Sequence, residues 1–431
     1  MTAAPPRQMH LAAHFPADDT AVWNDPRSGS QVEFASFEHL ARTAERGLFD
    51  FFLLAEGLRL REDNGLVRDL DVAGRPEPLT VLAALSAVTQ RLGLAATVSP
   101  GFHEPYEPAR RLATLDHLSA GRAAWNVVTS SGPLTGENFR NGGHRDRAGS
   151  HARTAEFVAT ARALWDSWTP DGTPAPFAHR SRHFRVEGEF TVPRSPQGHP
   201  VVIGTGDSSQ DREFAASAAD VVLARLGTPE AGRAFCADVK ERLARYGREP
   251  GELKVMAGAG VVLGDSDAEA RERAAAIRLQ QVSPQHAIRA LEQVWGRDLS
   301  SYDPDGPLPE WDPEPAAELV GARHGEALAV AARWRELSRT KGLSIRQTVI
   351  EATGRQPFVG SPETVAAEMT GRVATGAADG FVLVPHLVPG GLDDFVDRVV
   401  PLLQERGVFR GAYTGSTLRS HLGLAEPVWK G

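Results

Sequence analysis

The sequence is poor in the features that mark several common classes of protein. It has one cysteine, Cys236, among 431 residues, so neither an intrachain disulfide nor a metal site built from cysteines can form. The surrounding residues, AGRAFCADVKERL, have the pattern of an amphipathic helix. This pattern predicts that Cys236 is a small buried residue and not a reactive thiol.

Concentrated positive charge and long apolar runs are also missing. The 47 Lys and Arg residues are outnumbered by 55 Asp and Glu, the formal net charge is −8, and no basic cluster suited to nucleic-acid phosphates occurs. No apolar run approaches the roughly 18 residues that span a bilayer, and residues 1–15 do not have the pattern of a signal peptide. We therefore expect a cytoplasmic protein that binds neither nucleic acid nor membrane.

Three catalytic signatures are absent from the sequence. It has no GxGxxG after the first predicted strand, no GxSxG and no HExxH, which disfavours a Rossmann nucleotide site, an α/β-hydrolase and a zinc protease. His10 and His14 are four residues apart, but they lie in a predicted strand and not on a helix. We therefore expect no catalytic metal site.

Eight short apolar runs alternate with segments of helical period, which predicts repeated strand–helix units and a parallel sheet. Eight units in 431 residues predict a (β/α)₈ barrel with insertions, because such barrels need about 250 residues and exceed 400 when loops are long. A doubly wound open sheet is the competing architecture. The predicted strands are 9–15, 48–55, 92–99, 123–130, 200–206, 220–226, 253–264 and 379–385.

Other segments fit around this pattern within a single domain, 1–431. Pro78 is expected to begin a helix that continues to Arg91. The stretch HFRVEGEFTV (183–192) predicts a hairpin. Residues 265–355 are charged, mostly helical in pattern and inserted before the eighth strand. This insertion is expected either to cover the carboxyl end of the barrel as a lid or to form a dimer surface.

Polar residues cluster where the predicted strands end, which is where active sites of such barrels lie. GTGDSSQDREF (204–214) combines a strand end, a glycine turn and two serines before a helix. This is the pattern of a phosphate-binding turn, although a purely structural turn has the same pattern. Trp23, Phe102 and Trp125 either face a ring-shaped cofactor or pack in the core.

Longer blocks of the sequence resemble one family. AATVSPGFHEPYEPARRLATLDHLSAGRAAWNVVTSS (95–131) is similar to the bacterial-luciferase-like flavin monooxygenases, in the branch of nitrilotriacetate monooxygenase component A, dibenzothiophene-sulfone monooxygenase and pristinamycin IIA synthase. Similar blocks continue in order nearly from end to end. They include ERGLFDFFLLAEG (45–57), SPQGHPVVIGTG (195–206) and DGFVLVPHLVPGGLDDFVDRVVPLLQERGVFR (379–410).

The resemblance implies the oxygenase component of a two-component monooxygenase, built on a (β/α)₈ barrel. Such a component takes reduced FMN from a separate NAD(P)H:flavin reductase and uses O₂ to insert one oxygen atom into a small organic substrate. It also implies a homodimer or homotetramer. An F420-dependent oxidoreductase of the same superfamily and a non-catalytic flavin-binding protein are the alternatives.

The flavin-binding positions of the family can be carried over residue by residue. Glu56 stands where the family has an aspartate, and His151 stands where a tyrosine of the family contacts the flavin phosphate. His103 replaces a common asparagine. Because histidine titrates near neutral pH, His103 and His386 are expected to handle a proton near the reacting atoms, with lining of the substrate pocket as the alternative. The implied cofactor-binding residues are Glu56, Thr97, Asn126, His144, His151, Ser208 and Ser209.

Overall fold

The computed structural model describes residues 7–16, 20–58, 76–128, 147–169, 171–314, 324–353 and 358–429. Its strands are β1 (His10–His14), β2 (Phe51–Leu54), β3 (Gly93–Thr97), β4 (Ala123–Val127), β5 (Pro176–Arg180), β6 (Arg185–Glu189), β7 (Val201–Thr205), β8 (Val221–Ala224), β9 (Lys254–Ala259), β10 (Val261–Leu263), β11 (Phe358–Gly360) and β12 (Gly380–Leu383). Its α-helices are α1 (Phe34–Arg46), α2 (Pro78–Ser86), α3 (Tyr106–Leu118), α4 (Arg147–Trp165), α5 (Ser209–Ala218), α6 (Pro229–Leu243), α7 (Asp267–Gln281), α8 (Pro284–Trp295), α9 (His324–Lys341), α10 (Ile345–Thr353), α11 (Pro362–Ala374), α12 (Asp393–Arg398), α13 (Val400–Glu405) and α14 (Leu418–His421).

Eight parallel strands close into a barrel in the order β1-β12-β9-β8-β7-β4-β3-β2. The predicted (β/α)₈ barrel is therefore confirmed, and the open doubly wound sheet is excluded. Every predicted strand contributes to the barrel over a somewhat shorter span, and the predicted strand 253–264 divides into β9 and β10. A hairpin is present, but its predicted bounds are wrong: β5 and β6 pair antiparallel, and the stretch 183–192 supplies only β6.

The interior of the barrel is filled by alternate strand residues such as Phe51 and Ile203, which are completely buried. Two leucines of the carboxyl-terminal segment, Leu418 and Leu422, belong to the same apolar cluster. A side chain at Gly93, at the start of β3, would lie 2.7 Å from a methyl carbon of Leu418. Helix α14 therefore closes the amino end of the barrel.

An ion pair fixes this closing helix to the strands. Arg419 Nη2 donates to Asp220 Oδ2 at 3.0 Å, and both side chains are at least nine-tenths buried. Burial alone would raise the pKa of Asp220, but the charges of Arg419 and Arg162 lower it. Because breaking a buried pair leaves an uncompensated charge, this contact makes the position of α14 specific.

The predicted helix 78–91 is wrong at its end, because α2 stops at Ser86. The buried guanidinium of Arg122 donates to the backbone carbonyl groups of Ser86, Thr89 and Leu92 at 2.8–3.1 Å. A helix that continued to Arg91 would itself satisfy the Ser86 carbonyl, whereas here Arg122 satisfies it together with two carbonyl groups of the turn that follows α2. The local pattern could not reveal a partner that follows thirty residues later along the chain.

Residues 265–355 are inserted between two short strands beyond the carboxyl end of β9. β10 and β11 pair in parallel and hold the two ends of the insertion together. Helix α7 packs through Ala274 and Ile277 on Val22, in the segment that follows β1. Helices α8, α9 and α10 have an apolar cluster of their own around Trp295, so this part is a small unit with its own core.

The single cysteine lies in α6 and is 6% exposed, as predicted. Burial raises the pKa of the Cys236 thiol to about 11, which keeps it in the unreactive thiol form. Across the described part of the chain, no helix combines the length and apolar character that crossing a membrane requires.

Candidate functional site

A row of three polar side chains crosses the carboxyl ends of β3, β4 and β7. Asn126 Nδ2 donates to Thr97 Oγ1 at 2.9 Å, and Thr205 Oγ1 donates to Asn126 Oδ1 at 2.7 Å. Thr97 and Asn126 were predicted from the sequence, whereas Thr205 was missed. Its signal was the alternation along β7, since Thr205 follows the interior residue Ile203 by two positions.

Glu56 and His103 form a second group, beside β2 and β3. The backbone N–H of Ser99 donates to Glu56 Oε2 at 2.8 Å and holds the carboxylate in place. His103 Nε2 lies 3.6 Å from Glu56 Oε1, which is too long for a hydrogen bond. This nitrogen is buried and has no hydrogen-bond partner among the described residues, so its hydrogen-bonding capacity is unused there.

Arg153, from α4, holds the loop that carries His103. Its guanidinium donates to the carbonyl oxygen of Pro100 and, at 2.9 Å, to that of His103. The same group lies over the Phe184 ring, 4.6 Å from the centroid, and Arg153 is 6% exposed. Sequence reasoning missed this residue because an arginine in an amphipathic helix is usually solvated.

The turn between β7 and α5 is built around Ser208 and Asp211. Ser208 caps α5: its hydroxyl accepts from the Asp211 N–H at 3.2 Å and donates to Asp211 Oδ2 at 2.6 Å. His151 Nε2 lies 3.0 Å from Asp211 Oδ1. Gly206 has a φ of 136°, and a side chain there would collide with the Asp211 carboxylate, so the turn requires glycine. The structure thus brings His151 and Ser208 together through Asp211, which the sequence analysis had not singled out.

One predicted cofactor-binding residue lies on a different contact, and another falls outside the described residues. Ser209 is exposed, and its hydroxyl oxygen lies 3.4 Å from Arg242 Nη2 of α6, on a different contact from that of Ser208. His144 lies outside the described residues. Both assignments stay predictions.

His386 lies on the loop after β12, apart from His103. Its carbonyl oxygen accepts from the Val22 N–H at 2.8 Å, which joins this loop to the segment after β1. Burial lowers the pKa of His386, the charge of Arg27 lowers it further, and a hydrogen bond with the Val261 backbone acts in the opposite direction. The imidazole is therefore held in its neutral form near pH 7, which is the form that accepts a proton.

The three aromatic candidates differ in their surroundings. Trp125 is completely buried, donates through Nε1 to the Val98 carbonyl at 2.9 Å and packs on Phe157, so it is a core residue. Trp23 is half-buried after β1, and its Nε1 has no hydrogen-bond partner in the described ranges. Phe102 is half-buried beside His103.

The site therefore consists of separate polar groups arranged around the carboxyl rim of the barrel. The row at Thr97 is suited to the polar edge of a planar ring, and the helix start at Ser208 is suited to an anion. Within the residues that the structure describes, no group of three or more His, Cys, Asp or Glu side chains could hold a metal ion. This arrangement places hydroxyl, amide, carboxylate and imidazole groups at the mouth of a parallel barrel.

Comparison with known proteins gives the family of this barrel. The family profile for luciferase-like monooxygenases matches residues 19–379. The chain is 37% identical over 428 residues to the N-acetyl-S-(2-succino)cysteine monooxygenase of Bacillus subtilis (strain 168), covering 95% of this chain and 94% of that protein. It is also 37% identical over 428 residues to nitrilotriacetate monooxygenase component A of Aminobacter aminovorans, covering 93% and 92%.

A solved structure agrees with these sequence matches. The EDTA monooxygenase of Chelativorans sp. BNC1 superposes with a TM-score of 0.76 at 30% identity, covering 97% of this chain and 99% of that one. The chain belongs to the luciferase-like monooxygenase family, and the resemblance predicted from the sequence blocks is confirmed.

Proposed function

We propose that this protein is the oxygenase component of a two-component monooxygenase, which uses reduced FMN and O₂ to insert one oxygen atom into a small organic substrate. The observation that carries the proposal is the hydrogen-bonded row Thr97–Asn126–Thr205 at the mouth of a luciferase-like barrel. The relative named component A supports a second component, which we propose to be a separate NAD(P)H:flavin reductase. We further propose a homodimer or homotetramer located in the cytoplasm.

The residues at the mouth fit the ring system of a flavin. A flavin ring presents both N–H donors and carbonyl acceptors at its edge, and the row offers an amide and two hydroxyl groups to them. His103 Nε2 and Trp23 Nε1 are buried polar atoms without partners among the described residues. Because unsatisfied buried polar groups are costly, a polar ligand that reaches them would be stabilised.

The phosphate end of the cofactor fits under one condition. Ser208 at the start of α5 is the anion site, but the Asp211 carboxylate already accepts its N–H and its hydroxyl proton. A phosphate placed there meets a like charge. His151, 3.0 Å from Asp211, offsets that charge when it is protonated. Phosphate binding is therefore expected to depend on His151 and to weaken as the pH rises.

The bound reduced flavin supplies the activation of O₂, and the chain supplies positioning, exclusion of water and proton handling. We assign the proton-handling role to His103 Nε2, beside the Glu56 carboxylate, and to the neutral imidazole of His386. Arg153 positions His103 through the backbone of its loop.

The insertion is proposed as the lid. Its helix α7 contacts the segment after β1 through Val22, whose N–H also binds the loop of His386. Replacing residues 283–353 by a short Gly/Ser linker removes α8, α9 and α10 and leaves β10, α7 and β11. We expect this variant to release more hydrogen peroxide per product formed. If the ratio of hydrogen peroxide to product is unchanged, these helices are not a lid, and a dimer surface is the role that is left for them.

A reconstituted assay tests the proposed function. The protein, FMN, NADH and a flavin reductase are incubated in air with candidate substrates, and products are screened by mass spectrometry for one added oxygen. Candidates begin with the compounds in the names of the relatives: N-acetyl-S-(2-succino)cysteine, nitrilotriacetate and EDTA. Incorporation of one ¹⁸O atom from ¹⁸O₂ is the expected result.

Two other outcomes would overturn the proposal. If the protein transfers hydride with reduced F420 and inserts no oxygen atom with reduced FMN, it is a deazaflavin oxidoreductase. Flavin binding without any substrate-stimulated oxygen uptake across a broad substrate panel would make it a non-catalytic flavin-binding protein.

A further inference from the structure

A cavity of about 470 Å³ opens at the amino end of the barrel, opposite the candidate site. Its walls come from the segment leading into β1, the start of β9, the residue before β12 and the carboxyl-terminal segment around α14. The proposed oxygenase function makes no use of it. The charged and imidazole side chains in its walls are Arg7, His10, Lys240, Lys254, Asp379, Arg410 and His421.

Positive charge is in excess in this cavity. Lys240 is matched by Asp379, whose carboxylate oxygens lie 2.9 and 3.0 Å from Nζ. Lys254 Nζ instead donates to the Gly251 carbonyl at 2.9 Å, and it forms no ion pair within the described part of the chain. Burial lowers the pKa of Lys254 and the charge of Asp379 raises it, so a bound anion would add to a compensation that is only partial.

Two residues of the cavity wall also carry a buried polar atom that has no hydrogen-bond partner among the described residues. One is Nη1 of Arg410, whose Nη2 binds the Asp50 carboxylate and whose side chain is 10% exposed. The other is Nδ1 of His421, which is 4% exposed. His421 Nε2 lies 3.1 Å from the Gly415 carbonyl and therefore carries the proton. Nδ1 is then an acceptor that lacks a donor.

This combination specifies the chemistry of a ligand. Arg410 and Lys254 offer positively charged donors, which require anionic oxygens. His421 Nδ1 requires a proton from the ligand. We propose that the cavity binds a small oxyanion that also carries an O–H group, such as hydrogen phosphate or a 2-hydroxy carboxylate. Because it lies at the end of the barrel remote from the mouth, the ligand acts on stability or regulation and not as substrate.

Matched pairs of anions test this proposal by isothermal titration calorimetry of the full chain near pH 7.5. Hydrogen phosphate is compared with sulfate, which has a similar shape and charge without a proton. Malate is compared with succinate, which lacks the hydroxyl. We expect hydrogen phosphate or malate to bind at one site per chain. Its affinity should be about ten-fold or more higher than that of sulfate or succinate, respectively, which corresponds to about 1.4 kcal/mol.

Two variants locate the bound anion. Lys254→Met keeps the aliphatic stem and is expected to weaken binding ten-fold or more, and Ser208→Ala, at the other end of the barrel, is expected to leave it unchanged. Arg7→Gln changes an exposed residue of the cavity wall and is also expected to weaken binding. It replaces Lys254→Met in the test if circular dichroism shows that Lys254→Met does not fold.

Three results overturn the proposal. They are binding of sulfate and succinate as tight as that of phosphate and malate, loss of binding in Ser208→Ala with retention in Lys254→Met, and no binding of either hydroxylated anion tighter than about 1 mM.

Discussion

Replacing Arg153 by methionine should separate loop positioning from folding. The substitution keeps an unbranched apolar side chain against Phe184 and removes the guanidinium that binds two carbonyl oxygens of the His103 loop. Hydrogen bonds from a charged donor contribute about 1.5–3 kcal/mol each. Because the loop can relax towards solvent, we expect the free energy of unfolding to fall by about 3 kcal/mol, the lower end of the sum for two bonds.

The expected effect on catalysis is larger than the effect on binding. A displacement of about 1 Å at a reacting group can lower the rate about 100-fold, so turnover of Arg153→Met should fall between ten-fold and 100-fold, with little change in affinity for the flavin. Arg153→Lys keeps the charge but cannot reach both carbonyl oxygens at once. Its turnover should therefore lie between that of the wild type and that of Arg153→Met.

Urea unfolding, flavin titration and turnover at saturating reduced FMN measure these quantities. The pH dependence of turnover adds a readout that a purely structural role would leave unchanged, since it reports on proton transfer at the reacting atoms. Turnover and pH profile equal to those of the wild type, in a variant whose stability has fallen as expected, would refute the positioning role.

Four further substitutions address the rim and the core. His103→Asn and His386→Asn should each lower turnover at saturating reduced FMN. Full activity of either variant would show that the histidine it replaces does not handle the proton. Asp211→Asn should tighten FMN binding several-fold above neutral pH and leave riboflavin binding unchanged in a fluorescence titration, because it removes a charge that only the phosphate meets; equal effects on both ligands would contradict this. Arg419→Met should destabilise the fold by about 3–5 kcal/mol in urea unfolding. Because the folded-state pKa of Asp220 is lowered, the stability it contributes is present above the ordinary carboxyl pKa near 4 and is lost as the pH falls through the folded value. The difference between wild type and Arg419→Met should therefore shrink in acid, and a constant difference would argue against the pair.

The barrel could be predicted from the sequence because its strands are buried on both faces. Such strands appear as short apolar runs, and the helices between them have a different period. Strand ends then identify the rim, which is how Thr97 and Asn126 were found. The identity of the cofactor came from resemblance, since a hydroxyl and an amide at a strand end suit many polar ligands.

Contacts between distant residues left no local signal. Asp211 is an ordinary residue for the first turn of a helix, and only the fold places it beside His151. The pairing of β10 with β11 joins segments almost one hundred residues apart, and the sequence of neither strand predicts it. Leu418 and Leu422 gave no local signal because their apolar surroundings are contributed by the strands.

The closing of the barrel by α14 has a consequence for how the protein is made. A ribosome that has completed all eight barrel strands has still to synthesise the segment that contains Leu418 and Leu422. At about 5–20 residues per second this delay lasts a few seconds, during which apolar strand residues at the amino end of the barrel lack their cover. Nascent chains should therefore be most dependent on chaperones in this interval, and a message cut short before Leu418 should yield a polypeptide that is degraded.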